Sequence, residues 1–228
     1  NRGDMRAPIS VIIPTLNAEK PLPACLMALG EGLNAGLIRE LIVTDGGSSD
    51  GTLRVAEAAG ARIVTGPPSR GGQLRRGAGV AEGNWLFFLH ADTRLAPDWA
   101  EPVTAHLARD KAAAFRLAFD SSHPMARLTA GWANLRSRAL GLPYGDQGLL
   151  IRRSLYDAVG GYPDQPLMED VAMARRLKHR IMLLPVTAHT SADKYRRDGW
   201  IRRGGQNLWT LTRYLAGTSP ETLAKRYR

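Results

Sequence analysis

The chain has 228 residues, 44% of them hydrophobic, enough for one α/β domain with a real core and at most a small appendage. Its single cysteine, Cys25, excludes an intrachain disulfide framework and points to a reducing compartment, and no apolar run approaches the roughly 18 residues of a membrane span. The formal charge of +10 is lopsided: residues 1–114 hold 12 basic and 12 acidic side chains and residues 115–228 hold 19 and 9, so one face is expected to meet phosphate, lipid headgroups or nucleic acid.

In chain order, residues 9–17 (ISVIIPTLN) are β-branched and apolar and end in proline and asparagine, the pattern of a buried strand. Residues 22–35 have helical character, with Cys25 as core filler in the run PACLMAL. RELIVTDGG reads as a second buried strand ending at Asp45, followed by the loop GGSSDGT and a helix over 52–59 stopped by Gly60. A third strand, ARIVTG, completes a β-α-β-α-β pattern, which predicts a mostly parallel sheet with crossover helices. After Pro67 and Pro68 comes a glycine-rich basic loop, SRGGQLRRGAG, leading into a small-residue helix. WLFFLHADT, residues 85–93, is a fourth strand. A helix around 98–109, an apolar AAAFRLAF, a helical region over 121–142 and a glycine-crowded GLPYGDQG follow. Next come a strand-like LLIRR and a short helix from Ser154. MEDVAMARRLKHR is a strong helix candidate, IMLLPVTAHT is the last strand, and the basic tail from Ser191 contains a helix-like NLWTLTRYLAG.

Ligands of open α/β sheets bind beyond the carboxyl ends of the strands, and three polar loops fall there: residues 17–19, residues 45–50 and Asp92. The glycine loop after Asp45 suits a strand-to-helix turn with Asp50 or Thr52 as cap, and Asp45 itself can accept hydrogen bonds from a base or ribose. Asp92, closing a very apolar strand, suits a hard divalent cation bridged to substrate phosphates. His90, two residues earlier on the same side of that strand, either assists or packs. Residues 70–76 either surround a pyrophosphate with guanidinium and N–H groups or form solvated surface. Glu169 and Asp170 open a helix, where acids are stabilising, and an Asp held there can equally be a general base.

VIIPTLN at 11–17, IVTDGGSSDGT at 42–52, FLHADT at 88–93, GDQGLLIRRSLYDAVGGYP at 145–163 and MEDVAMARRL at 168–177, in this order, resemble the family 2 glycosyltransferases over roughly residues 8–190. GGQLRRGAG, LHADTRL and YGDQG further resemble a bacterial subgroup associated with radical-SAM or selenium-domain proteins. The resemblance implies a GT-A fold: a mostly parallel central sheet flanked by helices, with a nucleotide-binding half over 8–114, an acceptor half over 115–190 and a basic helical extension over 191–228. It implies an inverting transferase that takes a nucleotide-diphosphate sugar, usually a UDP-sugar, with Mn²⁺ or Mg²⁺. Pro14, Thr15, Asn17 and Ala91 would line the nucleotide pocket, Asp45 would contact the base, and Arg70 and Gln73 would lie near the diphosphate. Asp92 would hold the metal, and Asp170, flanked by Glu169, would deprotonate the acceptor hydroxyl. The pattern departs from the family in three places. Asp45–Gly46 stands for paired aspartates, and Ala18 separates Glu19 from the asparagine. His90 stands for the first acid of the metal motif, which makes His189 the candidate for a second ligand.

Residues 194–228 hold nine Lys/Arg against two Asp/Glu, interleaved with Trp200, Trp209 and Tyr214, and Leu208, Leu211 and Leu215 would share a helical face. This tail either packs on the catalytic domain or on a second subunit in a homodimer, or lies on an anionic membrane surface near a lipid-linked acceptor. Arg196 or Arg197 would alternatively close over the donor diphosphate. Three other functions compete. A nucleotidyltransferase needs a phosphate loop where PTLNAEK stands, and a nucleic-acid binder leaves the acidic loops unexplained; the third is an inactive sugar-nucleotide-binding relative. With no apolar signal-peptide core in NRGDMRAP, whose residues before Met5 read as a cloning remnant, the expected location is cytoplasmic, or peripheral on the inner face of the cell membrane.

Overall fold

The structure is a computed structural model that describes residues 7–178 and 180–226. Expectations for residues 1–6 and for His179 lie outside the described residues. The first half contains β1 (Ile9–Thr15), α1 (Leu22–Asn34), β2 (Ile38–Asp45), α2 (Thr52–Ala58), β3 (Arg62–Thr65), α3 (Arg70–Val80), β4 (Trp85–Phe88), β5 (Thr93–Leu95) and α4 (Ala100–His106). The second half contains β6 (Ala112–Phe119), α5 (Pro124–Leu140), β7 (Leu149–Arg152), α6 (Arg153–Ala158), α7 (Glu169–Leu177) and β8 (Ile181–Thr190). Three helices end it: α8 (Asp193–Asp198), α9 (Trp200–Leu215) and α10 (Pro220–Arg226).

The eight strands form one sheet in the order β3-β2-β1-β4-β7-β6-β8-β5. Strands β3, β2, β1 and β4 are parallel, as crossover helices require. β7 enters antiparallel between β4 and β6, and β5 runs antiparallel beside β8, while β6 and β8 are parallel. The α/β class and the helix-flanked sheet are thus as expected, with the all-parallel part confined to the first half. Both faces are covered, which is why β1 and β4 read as continuous apolar runs rather than alternating ones. Val11, Ile13, Phe87 and Phe115 meet Cys25 and Trp99 on one face; Ile12, Ile42 and Phe88 meet Leu74, Tyr156 and Met173 on the other.

Two elements depart from the sequence reading. The expected loop at Arg70 is already the first turn of α3, capped by Ser69, whose Oγ accepts the Gly72 N–H at 3.3 Å. Its glycines serve close approach: a Cβ on Gly71 would lie 2.0 Å from the Pro163 carbonyl oxygen, and one on Gly77 would lie 2.4 Å from Ile12. Tertiary contact therefore overrides their poor helix propensity. The expected strand over 85–93 ends at Phe88, and residues 89–92 turn before β5 begins. His90 and Asp92 consequently sit in a turn at the rim of the sheet, not side by side on a strand face.

The basic tail folds back onto the domain. Leu211 of α9 and Leu223 of α10 are buried with Leu167, Met168 and Val171 at the start of α7. Tyr195 and Trp200 meet the Phe119 ring edge to face. The leucines do not share one environment: Leu211 is buried, and Leu208 and Leu215 face solvent.

Candidate active site

Two loops at the carboxyl ends of β1 and β2 are knitted together by short polar side chains. Thr15 and Asp45 are register partners, and Thr15 Oγ1 donates to Asp45 Oδ1 at 2.9 Å. Ser48 Oγ donates to the same oxygen at 2.5 Å, while the Gly47 and Ser48 N–H groups donate to Oδ2 at 2.8 and 2.7 Å. Those four donors match the roughly four lone-pair sites of a carboxylate. Burial by itself would raise the Asp45 pKa, but the bonds from Ser48, Thr15 and Gly47 outweigh it and hold the carboxyl below its usual value. Asp45 is only 1% exposed and does not border the cleft. In this structure Asp45, expected to contact a base, holds the loop together through its bonds from Thr15, Gly47 and Ser48.

Asn17 holds the other side. It adopts φ 52°, a left-handed conformation that asparagine tolerates, and its Oδ1 accepts the Ser49 N–H at 2.9 Å. Glu19 Oε2 accepts the Gly51 N–H at 3.1 Å, and Asp50 accepts the N–H groups of Glu19 and Thr52 at 3.1 and 3.0 Å, the expected capping role. Gln73 reaches from α3 and donates to the carbonyls of Thr15 and Thr44 at 2.8 and 2.7 Å, fixing both strand ends.

Beyond these ends lies a cleft of about 470 Å³ bordered by Pro14, Thr15, Asn17, Arg70, Gln73, Ala91 and Asp92. Every residue expected at a nucleotide pocket except Asp45 is thus brought to one cavity. An inner chamber of about 120 Å³ shares Arg70, His90, Asp92 and Lys194 with it and adds Asp146, Asp170, Met168, Arg203 and Asn207. An outer recess of about 690 Å³ shares Asp92 and Lys194 and extends to His189 and Asp120. Asp92 and Lys194 stand where the three spaces meet.

The acids of the inner chamber are held in different states. Asp170, in the first turn of α7, accepts the Gly145 N–H at 2.8 Å through Oδ2 and its own helix's Val171 N–H at 2.7 Å through Oδ1. Met168 precedes it at φ 63°, a left-handed conformation that costs a non-glycine residue roughly 1–3 kcal/mol and aims the start of α7 at the chamber. Glu169 is 1% exposed, and burial, with the Asp170 charge adding to it, raises its pKa to about 8. That shift favours the protonated carboxyl at neutral pH, beside Asp170 on the same helix turn. Asp146 is pushed up to about 6 by burial, against the lowering effect of Arg136, and its Oδ1 is enclosed without a hydrogen-bond partner.

The cations are equally specific. Burial, then the charge of Arg70, lowers the Lys194 pKa, with Asp92 opposing both. The same two causes, in that order, bring His90 down to about 4, so its imidazole is neutral. His90 Nε2 would lie 2.5 Å from a Cβ on Gly145, a packing contact with the inner turn. Arg196 and Arg197, the alternative candidates to close over a bound donor diphosphate, are held in ion pairs, and Arg197 borders the outer recess. Arg196 bonds Asp193 at 3.1 Å and the Asp120 carbonyl, and Arg197 pairs with Asp198 at 2.8 Å. Lys194, from the same helix, borders all three spaces. The sequence reading missed Lys194, Arg203 and Asp146; only the glycines flanking Asp146 in YGDQG hinted at a special turn.

A divalent cation was expected on Asp92, with His189 as second ligand. Among the described residues, no three His, Cys, Asp or Glu side chains gather so as to hold a metal ion. A protein-only metal cage is therefore not built here. His189, register partner of Arg94 in β5, borders only the outer recess with Asp92. What Asp92 fits is a hard cation carried largely by substrate phosphates and water, for which a single carboxylate suffices.

The cleft and the inner chamber lie beyond the carboxyl ends of the parallel strands, where open α/β sheets bind their ligands. Residues 10–152 match the family model described as "Glycosyl transferase family 2", and the chain belongs to that family. It is 39% identical over 99 residues to a PGL/p-HBAD biosynthesis glycosyltransferase of Mycobacterium tuberculosis, across 40% of this chain and 38% of that protein. It is 34% identical over 93 residues to the glucosyl-3-phosphoglycerate synthase of the same organism, across 37% of this chain and 28% of that one. These matches thus span well under half of either relative. Among solved structures, Staphylococcus aureus TarS 1–349 in complex with UDP-GlcNAc superposes with a TM-score of 0.61 at 16% identity, over 81% of this chain and 58% of that one. The M. tuberculosis synthase in complex with Mn²⁺ and UDP-glucose superposes with a TM-score of 0.58 at 22% identity, over 81% and 70%. Both share the fold.

Proposed function

We propose that the chain transfers a sugar from a nucleoside-diphosphate donor, a UDP-sugar, to a hydroxyl acceptor with inversion at the anomeric carbon. The observation that carries this reading is the junction: Asp92 and Lys194 separate a large cleft at the parallel strand ends from an inner chamber containing Asp170. The nucleoside occupies the cleft between Pro14, Thr15, Asn17 and Gln73, and its diphosphate lies at Arg70 and Lys194, whose charges offset the negative charge that builds as the leaving group departs. A divalent cation, held by Asp92 and the phosphates, would add Lewis-acid stabilisation there.

The acceptor hydroxyl enters the inner chamber. Asp170 has two protein donors for about four lone-pair sites, so it retains capacity to accept the hydroxyl proton. The acceptor oxygen then bonds to the anomeric carbon from the face opposite the diphosphate, the carbon–phosphate oxygen bond breaks, and the electron pair leaves with the nucleoside diphosphate. The solved complexes with UDP-GlcNAc and UDP-glucose support the donor class by fold. We treat residues 8–190 and the packed tail as one catalytic unit, because Lys194 and Arg203 border the chamber. GGQLRRGAG, LHADTRL and YGDQG support membership of the radical-SAM or selenium-domain-associated subgroup.

The test is release of nucleoside diphosphate from a panel of UDP-, GDP- and CDP-sugars, by wild-type protein and by Asp170→Asn. Release from one donor class by wild type, and release slower by a factor of roughly 10² to 10⁴ in the variant, is expected. No release from any donor, or equal release by the variant, would overturn the assignment.

A further inference from the structure

Two neighbouring helices leave an apolar face uncovered. On α5, Leu128, Trp132 and Leu135 follow the i, i+4, i+7 spacing of one helical face, and each is more than half exposed, at 66%, 56% and 56%. On α9, Ile201, Leu208 and Leu215 recur every seventh residue and also face solvent. Neither face is needed by the core. α5 already buries Ala126, Ala130 and Ala133 against Leu117 and Phe119, and α9 buries Thr210 and Leu211. The helices are pinned to each other where Trp200 stacks on His123, ring centroids 5.7 Å apart.

Charge decides what covers this face. Neither α5 nor α9 contains an acidic residue, and Arg127, Arg138, Arg202 and Arg213 lie exposed beside the apolar side chains. A second copy of the chain docked through the same patch about a two-fold axis would set arginine against arginine, an unfavourable match. An anionic bilayer accepts both components: leucine and tryptophan enter the headgroup boundary while arginines meet lipid phosphates. Neither helix is long and apolar enough to cross the bilayer.

We infer that the outer faces of α5 and α9 form a docking surface for anionic lipid bilayers, with the molecule lying on the membrane through these helices. This docking stands apart from the sugar-transfer reading.

Vesicle flotation of the whole chain tests the surface, using phosphatidylcholine alone and phosphatidylcholine mixed with phosphatidylglycerol. Wild type is expected to float with the anionic vesicles, and Leu135→Glu/Leu208→Glu to lose at least roughly tenfold in partitioning. Arg138→Glu/Arg213→Glu, which keeps the apolar residues, should lose about tenfold or more on anionic vesicles. Circular dichroism melts that match wild type verify that these exposed substitutions leave the fold intact. Absence of flotation by wild type, equal flotation of the variants, or equal flotation with uncharged vesicles would overturn the inference. So would light scattering that shows a dimer dissolved by the leucine double variant, which would assign the face to a second copy.

Discussion

The Gly145 N–H donates to Oδ2 of Asp170 across 2.8 Å, tying the inner turn to the first turn of α7. The same glycine lies against His90: a Cβ there would sit 2.5 Å from Nε2. The proposed base is thus positioned by a backbone donor that requires a bare α-carbon beside the imidazole.

Asp170→Asn should reduce transfer by a factor of roughly 10² to 10⁴, the usual worth of a positioned general base. Nucleotide affinity should stay within about threefold of wild type, because Asp170 borders the inner chamber and not the nucleotide cleft. Steady-state kinetics with calorimetry separate the two. Loss of binding together with activity would move Asp170 from base to structural cap.

Gly145→Ala should disturb the same site from the other side. The new methyl displaces His90 or shifts the turn, at a cost of about 1–3 kcal/mol, and either movement loosens the Asp170 bond. A fall in kcat with a folded protein and little change in donor affinity is expected. Unchanged kcat would show that this bond does not position the base.

Lys194→Ala should weaken UDP binding by at least about tenfold, as loss of a charge-assisted contact of roughly 1.5–3 kcal/mol implies. Arg197→Ala should leave it unchanged, because Arg197 is paired with Asp198. Calorimetry on the two variants discriminates between bases three residues apart.

Glu169 gives the fold a pH dependence. Its folded pKa of about 8 lies above its ordinary value of 4.5, so the native state keeps a proton that the unfolded chain has released. Stability should therefore fall as pH rises from about 4.5 to about 8, and the slope should end once the native carboxyl also ionises. Glu169→Gln should flatten this decline and raise the Tm at neutral pH. Thermal melts across that window check it; identical slopes for both proteins would mean that Glu169 ionises normally.

Much of this architecture was legible in the sequence, and the exceptions share a cause. β8 spans the same IMLLPVTAHT read from the chain, because an apolar start leads into an alternation that buries Leu184, Val186, Ala188 and Thr190. The gathering of Pro14, Thr15, Asn17, Arg70, Gln73, Ala91 and Asp92 in one cleft follows from strand-end placement in a parallel sheet. What stayed hidden depended on contacts distant in sequence. Asp45 reads as a ligand-facing acid until Thr15 and Ser48 are seen to occupy its oxygens. Glycines at 71, 72 and 77 read as a loop until Pro163, Asp164 and Ile12 are seen to exclude larger residues. In DKYRRD, only the helical phase of α8 brings Lys194 to the cleft and the inner chamber while Arg197 reaches the outer recess. Asp146 becomes notable only through burial near Arg136, Asp170 and Asp92.

The most direct measurement is calorimetric titration of the wild-type chain with UDP, GDP and CDP, each with and without Mn²⁺, repeated on Asp92→Asn. UDP is expected to bind in preference to the other two and more tightly with Mn²⁺, and Asp92→Asn should remove the gain from metal while retaining metal-free binding. Failure of all three nucleotides to bind would contradict a nucleoside-diphosphate cleft at the ends of β1 and β2. A gain from Mn²⁺ that survives in Asp92→Asn would contradict Asp92 as the residue that receives the cation.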